Sequence, residues 1–112
     1  MNATPDQRYK FDAGKTQWDL MPWEELSDLA KLFTIGAAKY SAYSYQKVRP
    51  YKSRYFDAAL RHLVDDWLIG GEEYDQETGA PHLIAAVWNL LALRWGEKHL
   101  ENFNKEEEND TK

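Results

Sequence analysis

The chain contains no cysteine among its 112 residues. This absence excludes disulfide bonds, thiolate zinc sites and cysteine nucleophiles, and it is typical of a protein of the reducing cytoplasm. No apolar run reaches the ~18–20 residues that a membrane-spanning helix needs. The first residues, MNATPDQR, also lack the apolar core of an export signal. The sequence therefore predicts a cytoplasmic protein that does not enter a membrane.

The sequence likewise lacks the alternating pattern of β-strands. It also lacks internal repeats and a glycine-rich phosphate loop of the GxxxxGK type. Hydrophobic residues nevertheless make up 43% of the chain, enough for a globular core. We expect one all-α domain over residues 1–100, followed by a charged flexible tail over residues 101–112. The class predicted is a small helical bundle with three main helices.

The apolar periodicity places these helices near residues 22–40, 54–69 and 81–98. On the second helix an apolar stripe recurs at helical spacing: Phe56, Ala59, Leu60, Leu63, Val64 and Trp67. The third helix is apolar nearly all round, and a helix of that kind is buried on several sides. Because two other helices cannot easily surround it, the sequence predicts a homo-oligomer, most simply a dimer, that completes the bundle.

Charge is unevenly distributed along the chain, whose net charge is −5. Residues 1–61 hold ten Lys or Arg against seven Asp or Glu, and residues 62–112 hold four against twelve. The overall acidity argues against non-specific binding to nucleic acid. A basic half and an acidic half in one small domain can instead build a site with phosphate-binding cations and metal-binding carboxylates.

The stretch over residues 70–89 concentrates the polar chemistry. It begins with an acidic loop, GGEEYDQETGAP, and continues into an apolar run, residues 82–89, whose only two polar side chains are His82 and Asn89. These two are seven residues apart and therefore share one face of the helix. The pattern is consistent with a metal or ligand site, but this stretch alone favours an exposed acidic turn before a core helix whose histidine is satisfied.

Four motifs in a fixed order carry a family resemblance: KFDAGK…WDLMPWE, GAAKY, AALRHL and GEEYDQETGAPHLIAAVWN. Over about residues 9–95 the chain resembles the phage and bacterial family of dATP/dGTP diphosphohydrolase N-terminal domains, relatives of the MazG-like all-α nucleotide pyrophosphohydrolases. The resemblance implies cleavage of a purine deoxynucleoside triphosphate, dATP or dGTP, to the monophosphate and pyrophosphate. It also implies Mg²⁺ or Mn²⁺ as cofactor and the cytoplasm of a bacterium or phage-infected host.

On this basis each class of site residue has candidates. For the metal they are Glu72, Asp75, Glu77, Glu24 and Asp28. The catalytic candidates are Glu72, Asp75 and His82. Those for substrate binding are Lys15, Lys39 and Arg61 on the phosphates, Tyr45 (or Tyr43) stacked on the base, His62 on a ligand or a proton, and Asn89 on a base or sugar edge. We expect Lys39, Arg61, His82 and Asn89 to line one pocket.

Two other functional classes remain open. A small domain with such a pocket can sequester a nucleotide without hydrolysing it, as a phage counter-defence sponge would. Alternatively, the chain can be a purely structural helical oligomer, although the polar notch of His82 and Asn89 on a buried helix argues against that role.

Overall fold

The computed structural model describes residues 12–105, and the helices dominate that part of the chain. They are α1, Trp23–Lys39; α2, Tyr51–Leu60, continued by a π-helical segment, Arg61–Ile69; and α3, His82–His99. Two short 3₁₀ segments, Trp18–Leu20 and Ser44–Lys47, precede α1 and α2. The all-α prediction is confirmed: between residues 12 and 105 there is no strand, only an isolated bridge between Tyr74 and Pro81.

The ends of the helices follow from local chemistry. Proline occupies the N-cap of all three, at Pro22, Pro50 and Pro81, where its missing N–H costs no helical hydrogen bond. Basic residues lie in the last turns of α1 and α3, where they face the negative end of the helix dipole. The second helix begins at Tyr51, three residues earlier than predicted, because Pro50 occupies its N-cap.

The π-helical segment changes the direction in which the second half of this helix presents its side chains. Its nine residues have a wider turn than an α-helix, and it ends with a hydrogen bond from the Gly70 N–H to the Asp65 carbonyl, at 2.9 Å. Segments of π-helix are rare, and they occur frequently at functional sites. This segment begins at Arg61 and carries His62 and Asp66.

The core is aromatic and lies between α2 and α3. Tyr51, Tyr55 and Ala92 are buried together with Phe103, and Trp88 and Trp95 pack around them. The hydroxyl of Tyr51 donates to the Ala92 carbonyl at 2.5 Å, which joins the two helices through a hydrogen bond inside the core. The segment predicted to be a flexible tail thus contributes Phe103 to the core.

The buried stripe predicted on the second helix is wrong at three of its six positions, since Ala59 is buried and Leu63 and Val64 are half-buried. Phe56, Leu60 and Trp67 are 48%, 40% and 39% exposed, whereas Tyr51, Tyr55 and Ala59 face α3. Spacing of four residues puts those three on one side of the helix, and the phenol rings of the two tyrosines bury more area than aliphatic side chains would.

Apolar side chains also remain exposed on the outer side of α3. Leu83, Val87 and Leu90 are between 42% and 48% exposed, whereas the buried apolar residues of α3 are alanines, at positions 85, 86 and 92. The homo-oligomer predicted to cover this helix remains a prediction. None of the helices within residues 12–105 is long and apolar enough to cross a membrane.

Candidate functional site

Two histidines meet where the π-helical segment passes the first turn of α3. The Nδ1 atoms of His62 and His82 are 2.9 Å apart, and their rings lie at 38° to each other. His82 is almost fully buried, and its Nε2 makes no hydrogen bond to any residue that the structure describes. The nearest carboxylate, Glu72, places Oε2 3.5 Å from this Nε2. Burial lowers the pKa of His62 below its ordinary value, so that this ring is neutral at physiological pH.

Asp66 lies one turn further along the π-helical segment and approaches both histidines. Its Oδ2 lies 3.7 Å from Nδ1 of His82 and 3.9 Å from Nδ1 of His62. Over residues 12–105, these are the three His, Asp or Glu side chains whose ligand atoms all lie within 4.8 Å of one another.

The acidic loop between the helices is held in one shape by Asp75. Its Oδ2 accepts hydrogen bonds from the backbone N–H and the hydroxyl of Thr78, at 2.9 and 2.8 Å. Backbone bonds from Gly79 to Asp75 and from Asp75 to Ala80 close the turn, and Gly79 adopts a positive φ of 77° there. Burial raises the pKa of Asp75, but the two bonds from Thr78 outweigh it and lower the pKa below its ordinary value.

Glu77 connects the same loop to the end of α1. Its Oε1 accepts a hydrogen bond from Nζ of Lys39 at 2.7 Å. The hydrogen bond to Glu77 is the main cause that raises the pKa of Lys39. Because both side chains are more than half exposed, this pair contributes little to stability but fixes where the two charges lie.

A cavity of about 650 Å³ opens between α1, α2, α3 and the acidic loop. Its lining combines cations, carboxylates, an imidazole and an amide, with aromatic and apolar side chains from Tyr40, Trp88 and Leu32. The polar members of its lining include Lys39, Arg54, His62, Asp75, Glu77, Thr78 and Asn89. Asn89 is buried, and its Nδ2 donates to the Ala85 carbonyl at 2.8 Å, within its own helix.

The cavity collects five of the residues selected from the sequence: Lys39, His62, Asp75, Glu77 and Asn89. His82 and Glu72 lie behind them, with His82 in contact with His62. Of the four residues expected to line one pocket, Lys39 and Asn89 line this cavity, whereas His82 is in contact with it only through His62.

Other selected residues lie elsewhere. Arg61 is exposed and does not line the cavity. It lies one residue before His62 and therefore off the helix face that carries Arg54, Ala58 and His62 at intervals of four. Tyr45 packs edge-on against Phe33 and lines a separate cavity of about 340 Å³, as does Tyr43.

The remaining candidates are in the first part of the described chain, outside the lining of the 650 Å³ cavity. Lys15 is exposed in the segment before α1. Glu24 is exposed in the first turn of α1, and Asp28 has Nζ of Lys31 3.9 Å from its Oδ1.

Sequence reasoning missed three residues of this region: Arg54, Asp66 and Thr78. Arg54 could have been found from its spacing of eight to His62 on one helix face, and Thr78 from its place in the turn between Asp75 and Gly79. Nothing in the sequence reveals that Asp66 also approaches His82, because that contact depends on how α2 packs against α3.

Comparison with known proteins identifies the family to which the chain belongs. The sequence profile of the family described as dATP/dGTP diphosphohydrolase, N-terminal, matches residues 5–106. A dATP/dGTP diphosphohydrolase of Salmonella phage PMBT28 is 30% identical over 86 residues, which make up 77% of this chain and 28% of that protein. The chain thus spans well under half the length of that relative. No solved structure matches. A match over nearly the whole chain shows that it belongs to the dATP/dGTP diphosphohydrolase N-terminal family.

Proposed function

We propose that the protein hydrolyses purine deoxynucleoside triphosphates, dATP or dGTP, to the monophosphate and pyrophosphate, and that the reaction depends on Mg²⁺ or Mn²⁺. The observation that carries the proposal is the cavity of about 650 Å³, which joins cations and carboxylates in a member of this family. Its volume is in the range of about 300–1,000 Å³ that small-molecule sites occupy.

The basic side of the cavity suits the phosphates. Lys39 and Arg54 reach it from two different helices, and charge-assisted hydrogen bonds from such groups are the strong ones in phosphate recognition. Lys39 is paired with Glu77 when no nucleotide is bound. A triphosphate would compete with Glu77 for this ammonium group and release the carboxylate into the cavity.

The other side of the cavity suits a purine base. Trp88 and Tyr40 offer aromatic rings, and Asn89 offers an amide that can both donate and accept. Asn89 comes from α3, whose backbone is fixed by the core, so its amide is held in place before the nucleotide arrives. We assign base or sugar recognition to Asn89 and the aromatic contact to Trp88 or Tyr40 instead of Tyr45.

The donor set of the cavity fits the metal that the family resemblance implies. Asp75 and Glu77 supply carboxylate oxygens, the ligands that Mg²⁺ and Mn²⁺ prefer, and Asp75 is kept ionised by Thr78. When bound, such an ion neutralises phosphate charge and activates water. Glu72 is a candidate to orient His82. Glu24 and Asp28 remain candidate metal ligands, but they would reach the cavity only in another arrangement of the first part of the chain.

A second candidate function is nucleotide sequestration without turnover. Two carboxylates of the cavity already have hydrogen-bond partners, and this observation favours sequestration. Asp75 accepts from Thr78, and Glu77 accepts from Lys39. A cavity whose carboxylates stay paired can bind a nucleotide through its cations and amide while lacking a metal ligand set.

Turnover separates the two functions. The full chain would be incubated with each of the four dNTPs and with ATP and GTP, with Mg²⁺, Mn²⁺ or a chelator, and pyrophosphate and monophosphate would be quantified. We expect equal amounts of both products, at least tenfold faster from dATP or dGTP than from pyrimidine substrates, and none with the chelator. Release of orthophosphate or inorganic triphosphate would contradict the proposed reaction. Nucleotide that binds and is recovered intact would favour sequestration.

A further inference from the structure

The group formed by His62, Asp66 and His82 has a geometry that neither the fold nor the proposed reaction explains. Two imidazole nitrogens face each other at 2.9 Å, and one carboxylate oxygen lies beside both, at 3.7 and 3.9 Å. One of the imidazoles, that of His82, is almost completely buried. A buried polar ring in such a place needs partners, because burial without them costs free energy.

The three donor atoms have the spacing of ligands around a single ion. A triangle with sides of 2.9, 3.7 and 3.9 Å has its centre about 2.1 Å from each corner, and bonds from zinc to histidine nitrogen or carboxylate oxygen are about 2.0–2.2 Å long. An ion at that centre would therefore reach Nδ1 of His62, Nδ1 of His82 and Oδ2 of Asp66 without movement of the backbone.

The surroundings of Nε2 of His82 indicate that the other ring nitrogen, Nδ1, is available to bind the ion. Its Nε2 makes no hydrogen bond to a described residue, but Oε2 of Glu72 lies 3.5 Å away. Histidine ligands commonly direct their second N–H toward a carboxylate, which fixes the ring and leaves the other nitrogen unprotonated. With its proton on Nε2 toward Glu72, His82 presents the lone pair of Nδ1 to the centre of the triangle.

We propose that His62, His82 and Asp66 bind a divalent transition-metal ion through two imidazole nitrogens and one carboxylate oxygen, with Glu72 orienting His82. Imidazole suits zinc, cobalt, nickel and iron, whereas Mg²⁺ prefers oxygen ligands, so this site discriminates against Mg²⁺. It is distinct from the carboxylate ligands expected in the cavity, and it requires no hydrolytic activity of the protein.

The position of the site leaves the ion accessible. Two of its three ligands remain partly exposed, with 24% of the His62 side chain and 41% of the Asp66 side chain accessible, so that solvent reaches the group from their side. Sites with three protein ligands and an open position are typical of reactive rather than purely structural ions. His62 also lines the 650 Å³ cavity, so the ion lies next to the space assigned to the nucleotide.

The π-helical segment supplies two of the ligands. His62 and Asp66 are four residues apart, close to one turn of its widened helix, and this spacing directs both side chains toward the start of α3. The alternative occupant of the centre is a proton: one neutral ring can donate from Nδ1 to the other, which also accounts for the 2.9 Å contact. The two explanations differ in what they predict for added metal.

Metal binding can be measured on the full chain without nucleotide. The protein would be stripped with a chelator, dialysed, and titrated with Zn²⁺ by calorimetry and with Co²⁺ by visible absorption. We expect one Zn²⁺ per chain, visible bands from Co²⁺ bound by nitrogen and oxygen, and no displacement of either ion by millimolar Mg²⁺. Zn²⁺ should also raise the melting temperature of the wild-type protein, because only the folded state brings the three ligands together.

Variants of the accessible ligands avoid disturbing the buried His82. His62→Gln and Asp66→Asn should each weaken Zn²⁺ binding about 100-fold and remove the thermal shift, and Glu72→Gln should weaken it about tenfold, as loss of a residue that orients a ligand does. His99→Gln, which changes the third histidine of the chain, and Asp65→Asn are matched controls and should bind as the wild type does.

The proposal is overturned if neither Zn²⁺ nor Co²⁺ shows saturable binding, in which case the two rings share a proton. It is equally overturned if His62→Gln and Asp66→Asn bind Zn²⁺ as tightly as His99→Gln does. Because nucleotide is absent from every titration, these results are independent of the hydrolysis assay, and either proposal can fail while the other stands.

Discussion

Replacing Gly96 with alanine is expected to destabilise the protein by about 3 kcal/mol, the upper part of the range for overpacked cores. A Cβ at this position would lie 2.1 Å from Cε1 and 2.5 Å from Cδ1 of Tyr51. The ring of Tyr51 cannot move aside, because it is fully buried and its hydroxyl is bonded to the Ala92 carbonyl. The approach of α2 to α3 therefore depends on the missing side chain of Gly96.

The measurement is chemical or thermal unfolding of the two proteins, where a loss of about 3 kcal/mol corresponds to a fall of roughly 10–20 °C in melting temperature. Gly36→Ala is the matched control, since Gly36 is also helical but an added Cβ there would meet nothing within 4 Å. That change should stabilise the protein by about 0.5–1 kcal/mol through helix propensity. Equal effects of the two substitutions would contradict the packing described for Tyr51.

Asp75→Asn is expected to reduce the rate of pyrophosphate release at least 100-fold, which corresponds to about 2.7 kcal/mol of activation free energy. Asp75 lines the cavity as an ionised carboxylate, and asparagine removes its charge while keeping its shape. The amide oxygen of asparagine can still accept the two hydrogen bonds from Thr78. We therefore expect the loop to keep its conformation and the melting temperature to change little.

Glu73→Gln is the control for this prediction, because it removes one negative charge from the same loop at an exposed position outside the cavity lining. Its rate of pyrophosphate release should remain within about twofold of the wild type. If Asp75→Asn retains the wild-type rate as well, then Asp75 only closes the turn with Thr78, and the metal ligands must be sought elsewhere.

The helices were predictable from the sequence because their signals are local. Apolar residues at helical spacing and a proline at each start identify α1, α2 and α3 to within a few residues. The buried face of α2 was not predictable in the same way. Tyr51 lies before the helix predicted over residues 54–69, and Tyr55 was not part of the predicted apolar stripe. Their hydroxyls nevertheless donate to the carbonyls of Ala92 and Tyr45, which allows both rings to enter the core.

The candidate site was predictable only in part, for a related reason. Lys39, Asp75 and Asn89 stand out because charged and amide side chains are unusual beside apolar stripes, and all three line the cavity. The contact of His62 with His82 joins residues twenty positions apart and depends on the π-helical segment, whose widened turn leaves no recognisable pattern in the sequence. Arg61 was selected because it lies beside the predicted apolar stripe, whereas Arg54 lines the cavity.

The central claim is that the cavity between the three helices binds a purine nucleotide. The most direct measurement is calorimetric titration of an α,β-methylene analogue of dGTP, which cannot release pyrophosphate, into the wild type and Asn89→Ala. The amide of Asn89 bonds only within its own helix, at the Ala85 carbonyl, among the hydrogen bonds described for the cavity. Its loss should therefore cost little stability, because alanine is a strong helix former.

We expect Asn89→Ala to bind the analogue about tenfold more weakly, equivalent to about 1.4 kcal/mol, with a nearly unchanged melting temperature. Asn102→Ala, at an exposed asparagine outside the cavity lining, should bind the analogue as the wild type does. A lower melting temperature with unchanged affinity in Asn89→Ala would contradict the account, because Asn89 would then belong to the core and the nucleotide would bind elsewhere.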